Sequence, residues 1–324
     1  MGTKDEVLGL LEKHRGKNLS GEDIACRLGI SRTSVWKAVK SLERDGHDIR
    51  AATNRGYQLS DGNNVLSIQG LLPYLSNENF AEKIRIYKSL ESTNKTAKEM
   101  AVNGCEHGTV IIADEQTAGR GRYGRSFYSP AGSGLYMSFV LRSQFLDLPS
   151  PTMITAAAAV AVCRVIETAA GKKPAIKWVN DILLNDKKIC GILTEAVTDF
   201  ESGGIDWIVA GLGINVDTKD FPGDLSQSAA SIFPDKTDGA VRNRLAAEIV
   251  NAFLSSGEWL NDGETYREYK DRLTLLGRAI TVMRANETFE AIALDVDETC
   301  RLIVKRQDGT IAALSSGEVS VKSP

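Results

Sequence analysis

Glycines and arginines alternate in Gly119-Arg120-Gly121-Arg122-Tyr123-Gly124-Arg125. A guanidinium is a planar fork of donors that fits phosphate and carboxylate oxygens. Glycine lets the backbone bend until its N–H groups converge on an anion. The segment therefore points to phosphate or carboxylate binding. It is not a Walker A loop, because no Gly-Lys-Ser/Thr follows, and it does not open a helix as a dinucleotide fingerprint would. The loop alone leaves two alternatives open, an Arg-Gly-Arg segment that binds nucleic acid and a plain surface loop.

Other short runs could contribute. Ser92-Thr93-Asn94 stands at an expected helix start, where free N–H groups and hydroxyls can hold a polar ligand. Gln116 precedes the arginine loop. Lys177-Trp178-Val179-Asn180-Asp181 ends one strand, and Lys188-Ile189-Cys190-Gly191-Ile192-Leu193 begins another. Gly211-Leu212-Gly213-Ile214-Asn215 is a third strand that contains glycine. Each run alone has an ordinary explanation in N-capping, a solvated lysine or a bulge.

The elements that must position these residues follow from periodicity. Residues 5–14 read as a helix with Val7, Leu8 and Leu11 on one face. Ser20 caps a second helix that ends at Gly29, and Ser31 caps a third that runs to about Asp45 and stops at Gly46. Strands at 48–52 and 56–59, joined by the turn Thr53-Asn54-Arg55, complete a winged helix-turn-helix pattern. On the third helix Arg32, Thr33, Trp36, Lys37 and Lys40 lie opposite the apolar stripe, placed to enter a major groove, and Arg50 and Arg55 belong to the wing. A domain that only mediates protein contacts is the competing reading.

After the polar linker Asp61-Gly62-Asn63-Asn64, strands are expected at 84–87, 110–114, 135–141, 175–178, 182–184, 189–195 and 207–216. Helices are expected at 93–102, 152–170 and 241–255. Adjacent hairpins, such as the pair joined at Asn185-Asp186-Lys187, favour a mixed, mostly antiparallel α+β sheet with helices. Past Leu276 short strands at 279–284, 288–295 and 301–306, with the hairpin turn Asp308-Gly309, suggest a small β-barrel. The three domains expected are 1–62, 63–274 and 275–324.

The totals narrow the class. The 324 residues carry a net charge of −3, yet residues 1–60 hold eleven Lys+Arg against eight Asp+Glu. A basic end on an acidic body fits an attached nucleic-acid reader. Five scattered cysteines without a CxxC pair, and three histidines far apart, argue against a disulfide framework or a structural metal and fit a reducing cytoplasm. The apolar run 152–170 contains Arg164 and Glu167 and reads as a buried helix, so no membrane span is expected.

Taken in order, Ser-Thr-Asn, Gln116, Gly-Arg-Gly-Arg-x-Gly-Arg, Lys-Trp-x-Asn-Asp, Lys-x-x-Gly-Ile-Leu and Gly-x-Gly-Ile-Asn resemble the catalytic domain of biotin–protein ligases. With the front helix-turn-helix and the closing segment Ser316-Gly317-Glu318-Val319-Ser320, nearly the whole chain resembles the bifunctional subclass that also represses the biotin operon. The departures are Val179, where the family usually has proline, and Phe127, where it usually has tryptophan. The resemblance implies a class II synthetase-like ligase domain and a C-terminal SH3-like barrel. It also implies biotin as substrate, ATP with Mg²⁺, and a lysine acceptor on a biotin carboxyl carrier protein or a biotin-dependent carboxylase. Operator DNA, and a homodimer promoted by ligand, are the further partners it implies.

Carried over residue by residue, Ser92, Thr93, Asn94 and Gln116 surround the ureido end of biotin. Gly119, Arg120, Gly121 and Arg122 wrap the carboxylate and then the adenylate phosphate. Lys188, near Gly191, reaches the reacting atoms, so Arg122 and Lys188 are the catalytic pair. Asn215 is a candidate for ATP or the metal. A lipoate–protein ligase would share the chemistry, and a ligand-sensing transcription factor would lack it.

Overall fold

The computed structural model describes residues 2–52, 55–145, 151–198, 204–235, 238–255, 263–284 and 287–321. In chain order the main elements are α1 (Thr3–Lys13), α2 (Gly21–Leu28), α3 (Arg32–Asp45), β1 (Ile49–Ala52), β2 (Gly56–Leu59), α4 (Ile68–Leu71), β3 (Ile84–Tyr87), α5 (Thr93–Val102), β4 (Thr109–Ala113), β5 (Gly134–Arg142), α6 (Pro151–Ala170), β6 (Ala175–Lys177), β7 (Asp181–Leu184), β8 (Lys187–Thr198), β9 (Ile205–Asn215), α7 (Leu225–Ser228), α8 (Val241–Leu254), α9 (Gly263–Asp271), β10 (Ala279–Arg284), β11 (Glu287–Val296), β12 (Leu302–Arg306), β13 (Ile311–Leu314) and β14 (Glu318–Val321). They divide into two compact units, Met1–Glu82 with Asp235–Asn251, and Lys83–Pro234 with Ala252–Pro324.

In the first unit α1, α2 and α3 bury Val7, Leu8, Leu11, Ile24, Val35, Val39 and Leu42 in one core, the stripes that helical spacing anticipates. Ser20 Oγ accepts from the Asp23 N–H and Ser31 Oγ from the Ser34 N–H, while Gly29 and Gly46 end α2 and α3 in the left-handed region. β1 and β2 pair antiparallel with Ile49 opposite Leu59. At Gly56 φ is +83°, and a Cβ there would lie 2.0 Å from the Leu19 carbonyl oxygen, so only glycine fits. The expected wing turn at Thr53 and Asn54 lies outside the described residues. The expected linker is fastened to the unit: Arg15 donates to the Asn63 carbonyl at 2.9 Å, and the Asp48 N–H donates to Asn63 Oδ1. The first turns of α8 hold the same stretch, with Asn243 bonded to the Ser67 N–H and the Val65 carbonyl.

The second unit is built on a seven-stranded sheet of order β3-β4-β5-β9-β8-β7-β6. Every pairing is antiparallel except β3 with β4. That parallel pair needs a crossover, which α5 supplies. All of β4 and most of β5 are buried, which is why these strands read as continuous apolar runs. Thr152–Ala170, within α6, is long and apolar enough to cross a membrane by composition, but two thirds of it is buried against the rest of the protein.

Several elements depart from the sequence reading, among them the short helices α4 and α7. α9 was not anticipated because GETYREYKD is almost wholly polar, yet it buries Tyr269 completely. Arg272, just beyond it, forms ion pairs with Glu167 and Glu268 at 2.8 and 2.6 Å and so ties the end of α9 to α6. The C-terminal strands form a five-stranded antiparallel sheet of order β13-β12-β11-β10-β14, including the unforeseen β13 and β14. Its residues Ile280, Val282, Ala293, Leu302, Val304 and Leu314 are buried. Two buried bonds join this sheet and α9 to the β6–β7 turn. Trp178 Nε1 donates to the Cys300 carbonyl and the Tyr269 hydroxyl to the Val179 carbonyl, each at 3.1 Å.

Candidate functional site

The arginine loop leaves β4 and returns to β5 as a tight excursion. Gly121 N–H donates to the Arg125 carbonyl at 2.7 Å and Phe127 N–H to the Gly119 carbonyl at 2.8 Å. Gly119 must be glycine, because a Cβ would lie 2.5 Å from the Phe127 carbonyl oxygen. Tyr123, at φ 56°, is exposed at the tip. The three guanidinium groups have separate tasks. Arg120 pairs with Glu91 at 3.2 Å, and Arg125 grips Glu318 with two bonds of 2.5 and 2.7 Å. Arg122 donates to Asn180 Oδ1 at 3.2 Å, to the Gly317 carbonyl at 3.3 Å and to the Tyr123 hydroxyl at 3.3 Å. These acceptors are neutral, so its charge remains available to an anion.

Lys188, on β8, forms an ion pair with Asp181 on β7 at 2.7 Å, and its ammonium lies 5.9 Å from the centre of the Phe127 ring. Asn215 is buried and spends its amide donors on the carbonyls of Lys188 and Ala230.

Ser92, Thr93 and Asn94 are buried at the N-terminus of α5. Ser92 is the N-cap residue, but its side chain makes no capping bond, so capping does not account for it. Thr93 N–H donates to Gln116 Oε1 at 2.8 Å, and Gln116 Nε2 donates to Ser129 at 2.9 Å. Asn94 Nδ2 donates to the Leu193 carbonyl and to Glu195. Glycine spacing on β8 and β9 makes room for this layer. A Cβ on Gly211 would stand 1.9 Å from Asn94 Oδ1, and one on Gly213 would stand 2.6 Å from the Phe127 ring.

Two cavities meet here. The smaller, about 50 Å³, is lined by Ser92, Thr93, Asn94, Gln116 and the glycines Gly191, Gly211 and Gly213. The larger, about 410 Å³, is lined by cations, by the edge-to-face pair Tyr128 and Phe221, and by Asp181, Asp186 and Asn215. Gly121, Arg122, Phe127, Asn180 and Lys188 line both. The structure brings Ser92, Thr93, Asn94, Gln116, Arg120, Gly121 and Gly191 to the small cavity, Asn215 to the larger one and Arg122 and Lys188 to the shared boundary, whereas Gly119 lines neither. Sequence reasoning missed Ser138, Glu195 and Lys98, which stand behind the small cavity, and the pairings of Asn180 and Asp181.

In the first unit Arg32, Thr33, Trp36, Lys37 and Lys40 are all exposed on α3, as are Arg50 and Arg55 beside the wing. Arg32 lies 3.6 Å from Glu22 and Lys40 pairs with Glu43, so most of the strip's charge faces solvent.

A winged helix-turn-helix and a site that sets fixed cations at the boundary of a small cavity and a larger one fit a ligase of the acyl-adenylate kind joined to a DNA reader. The comparisons agree. Residues 86–215 match the biotin/lipoate A/B protein ligase family, 3–58 an HTH domain and 275–322 the biotin protein ligase C-terminal domain. The chain is 35% identical to the bifunctional ligase/repressor BirA of Bacillus subtilis (strain 168), over 94% of this chain and 95% of that protein. It is 26% identical to the protein of the same name from Escherichia coli (strain K12), over 95% and 94%. A biotin protein ligase from Aquifex aeolicus, solved in complex with biotin and ATP, shares the fold with a TM-score of 0.62 at 23% identity, covering 74% of this chain and 99% of that one. The chain belongs to the bifunctional ligase/repressor family of biotin–protein ligases.

Proposed function

We propose that this protein activates biotin with ATP, transfers it to a carrier lysine, and represses transcription in response to biotin. The observation that carries the enzymatic reading is the pair of cavities sharing Arg122 and Lys188. A ring held in the small cavity would direct its carboxylate to that boundary, where a nucleotide in the large cavity would present its α-phosphate. A carboxylate oxygen attacks the α-phosphorus and pyrophosphate leaves, giving biotinyl-5′-adenylate. The amine of the acceptor lysine, on a biotin carboxyl carrier domain, then attacks the acyl carbon and AMP leaves. Both steps gather negative charge, so catalysis is positioning and electrostatics.

In this reading Ser92, Thr93, Asn94 and Gln116 hold the ureido ring. Gly119, Arg120, the Gly121 N–H and Arg122 enclose the carboxylate, and Lys188 beside Gly191 neutralises the reacting oxygens. Asn215 shapes the wall of the nucleotide cavity. Mg²⁺ bound with the triphosphate would share its charge. Asp181 and Asp186 are the carboxylates of the larger cavity that suit it, and among the described residues no group of three or more His, Cys, Asp or Glu forms a cage.

The domains proposed are 1–62, 63–274 and 275–324. The exposed strip from Arg32 to Lys40, with Arg50 and Arg55, reads operator DNA as part of a homodimer that the adenylate favours, in the cytoplasm and away from membranes. The test is isotope exchange from pyrophosphate into ATP. Label must enter ATP when biotin is supplied and not when lipoate is. Absence of exchange with biotin and Mg²⁺ overturns the enzymatic reading. Sedimentation with and without the adenylate tests the dimer, and an unchanged monomer–dimer equilibrium refutes it.

A further inference from the structure

One row of the seven-stranded sheet runs from the small cavity into the larger one. Register places Lys177 on β6 opposite Asp181 on β7, Asp181 opposite Gly191 on β8, and Gly191 opposite Gly213 on β9. The neighbouring row, Ile176, Ile182, Cys190 and Ile214, is buried, so alternation turns the first row to the opposite face, where the cavities lie. Gly213 and Gly191 line the small cavity, whereas Asp181 and Lys177 line only the larger one. The Phe127 ring lies over Gly213 and the Lys188 ammonium over Gly191, where a Cβ would stand 3.0 Å from Lys188 Nζ. Across the strands the row thus presents an aromatic ring, a cation, a carboxylate and a second cation.

Among the described residues four cations line the larger cavity, and they face different partners. Arg125 is held by Glu318 and Lys188 by Asp181, while Arg122 donates to neutral groups. Lys177 is half-buried and, among the described residues, enters no ion pair. A cross-strand pair with Asp181 would be its ordinary structural use. Asp181 stands directly opposite, yet its carboxylate turns to Lys188 at 2.7 Å. The Lys177 ammonium is left to the cavity.

Its place in the row says what it can meet there. Arg122 and Lys188 stand where the cavities join, so they take the carboxylate and the α-phosphate. The rest of a triphosphate extends from that boundary, away from the small cavity. Lys177 lies on that side, two strand spacings or roughly 10 Å from Gly191. The β- and γ-phosphates and the flexible four-carbon lysine stem close this gap from its two ends. We infer that the Lys177 ammonium grips the β- and γ-phosphates and so serves the leaving group, not the attacking carboxylate. As the carboxylate oxygen bonds to the α-phosphorus, the bond from that phosphorus to the bridging oxygen breaks. The bridging oxygen keeps the electron pair and departs in pyrophosphate. A cation at the terminal phosphates spreads this growing charge. The inference rests on the ligase reading above and deepens it. It also separates the two half-reactions, because the adenylate has no β- or γ-phosphate and gives Lys177 nothing to hold during transfer.

The test uses the full-length protein. It reads adenylate formation in a single turnover, KM for pyrophosphate in the exchange assay, and transfer of purified biotinyl-5′-adenylate to a carrier domain. Lys177→Met keeps the apolar stem and removes the charge. It should slow adenylate formation and raise KM for pyrophosphate, each roughly ten- to a hundredfold. Transfer from the purified adenylate should stay within about twofold of wild type. Lys177→Arg keeps a cation that binds phosphate and should recover most of the loss. A merely structural lysine would slow both half-reactions together and would not follow the charge. Adenylate formation in Lys177→Met within about threefold of wild type, an equal loss in transfer, or Lys177→Arg no better than Lys177→Met would overturn the inference. Wild-type protein that exchanges no label with biotin overturns the ligase reading and this inference with it; exchange by wild type with an unaltered Lys177→Met overturns only the inference.

Discussion

Gly211 offers a perturbation whose size can be worked from coordinates. It lies in β9 opposite Ser138 on one side and Leu193 on the other. An alanine Cβ would stand 1.9 Å from Asn94 Oδ1, 2.7 Å from Cγ and 2.9 Å from Nδ2. Unbonded carbon and oxygen approach to roughly 3.3 Å, so the carboxamide must retreat by more than about 1 Å. That retreat breaks its bonds to Ser138, Leu193 and Glu195. Two neutral bonds at about 1 kcal/mol each and one to a carboxylate at about 1.5–3 kcal/mol sum to about 4 kcal/mol. Alanine in a strand interior returns about 0.5–1 kcal/mol by itself, which does not offset the loss. A net cost of about 3 kcal/mol lowers Tm of a unit this size by roughly 6–12 °C. The displaced Asn94 also spoils the small cavity, so KM for biotin should rise about a hundredfold or more while KM for ATP changes little. Calorimetry and pyrophosphate exchange at varied biotin report the two effects. Wild-type values of both Tm and biotin KM in Gly211→Ala would refute the idea that Asn94 is clamped against β9.

Three further outcomes follow from the site and the winged helix. Lys188→Ala removes the ammonium at the shared cavity boundary and should slow adenylate formation about a hundred- to a thousandfold; a single-turnover rate within threefold of wild type would remove Lys188 from the chemistry. Arg122→Gly should release the adenylate roughly ten- to a hundredfold faster, read as biotin on lysines of bystander proteins, and wild-type retention would contradict it. His47 is buried, and desolvation pushes its imidazole below the ordinary value of 6.5, with Asp45 and Asn63 opposing more weakly. The unfolded chain therefore binds the proton more readily, so the stability from His47 is complete above pH 6.5 and lost as pH falls through the lower folded value. Denaturant unfolding between pH 7.5 and 5 should show this loss in wild type and less of it in His47→Gln; parallel pH slopes would refute it.

How much was legible depended on how local each signal was. Ser20, Ser31, Gly29 and Gly46 act within one turn of their own helices, and they placed α2 and α3 from sequence. The arginine loop announced itself because its chemistry is written in consecutive residues. Glu195 and Lys98 did not, because their partners lie about a hundred residues away and nothing in their local spacing marks them. The same holds for Ser138, one polar residue in an apolar strand whose only visible trait is burial. The division of labour among Arg120, Arg122 and Arg125 was equally hidden, since it is set by Glu91, Gly317 and Glu318. α9 failed for a different reason: one fully buried tyrosine anchors a helix that is otherwise polar, too little for periodicity to show.

The bonds from Trp178 to Cys300 and from Tyr269 to Val179 bear on how the molecule is made. The β6–β7 turn carries Asn180 and Asp181 into the cavities on one side and rests on α9 and the last sheet on the other. A ribosome delivers residues in order, roughly 5–20 each second. The three helices of the first unit are therefore complete long before Cys300 leaves the exit tunnel. Until then the indole of Trp178 lacks its buried acceptor, and Arg122 and Arg125 lack Gly317 and Glu318. During synthesis the three helices of the first unit thus emerge many seconds before the last residues that close the cavities. The stretch from Cys300 to Glu318 acts as the clasp that completes the cavities last.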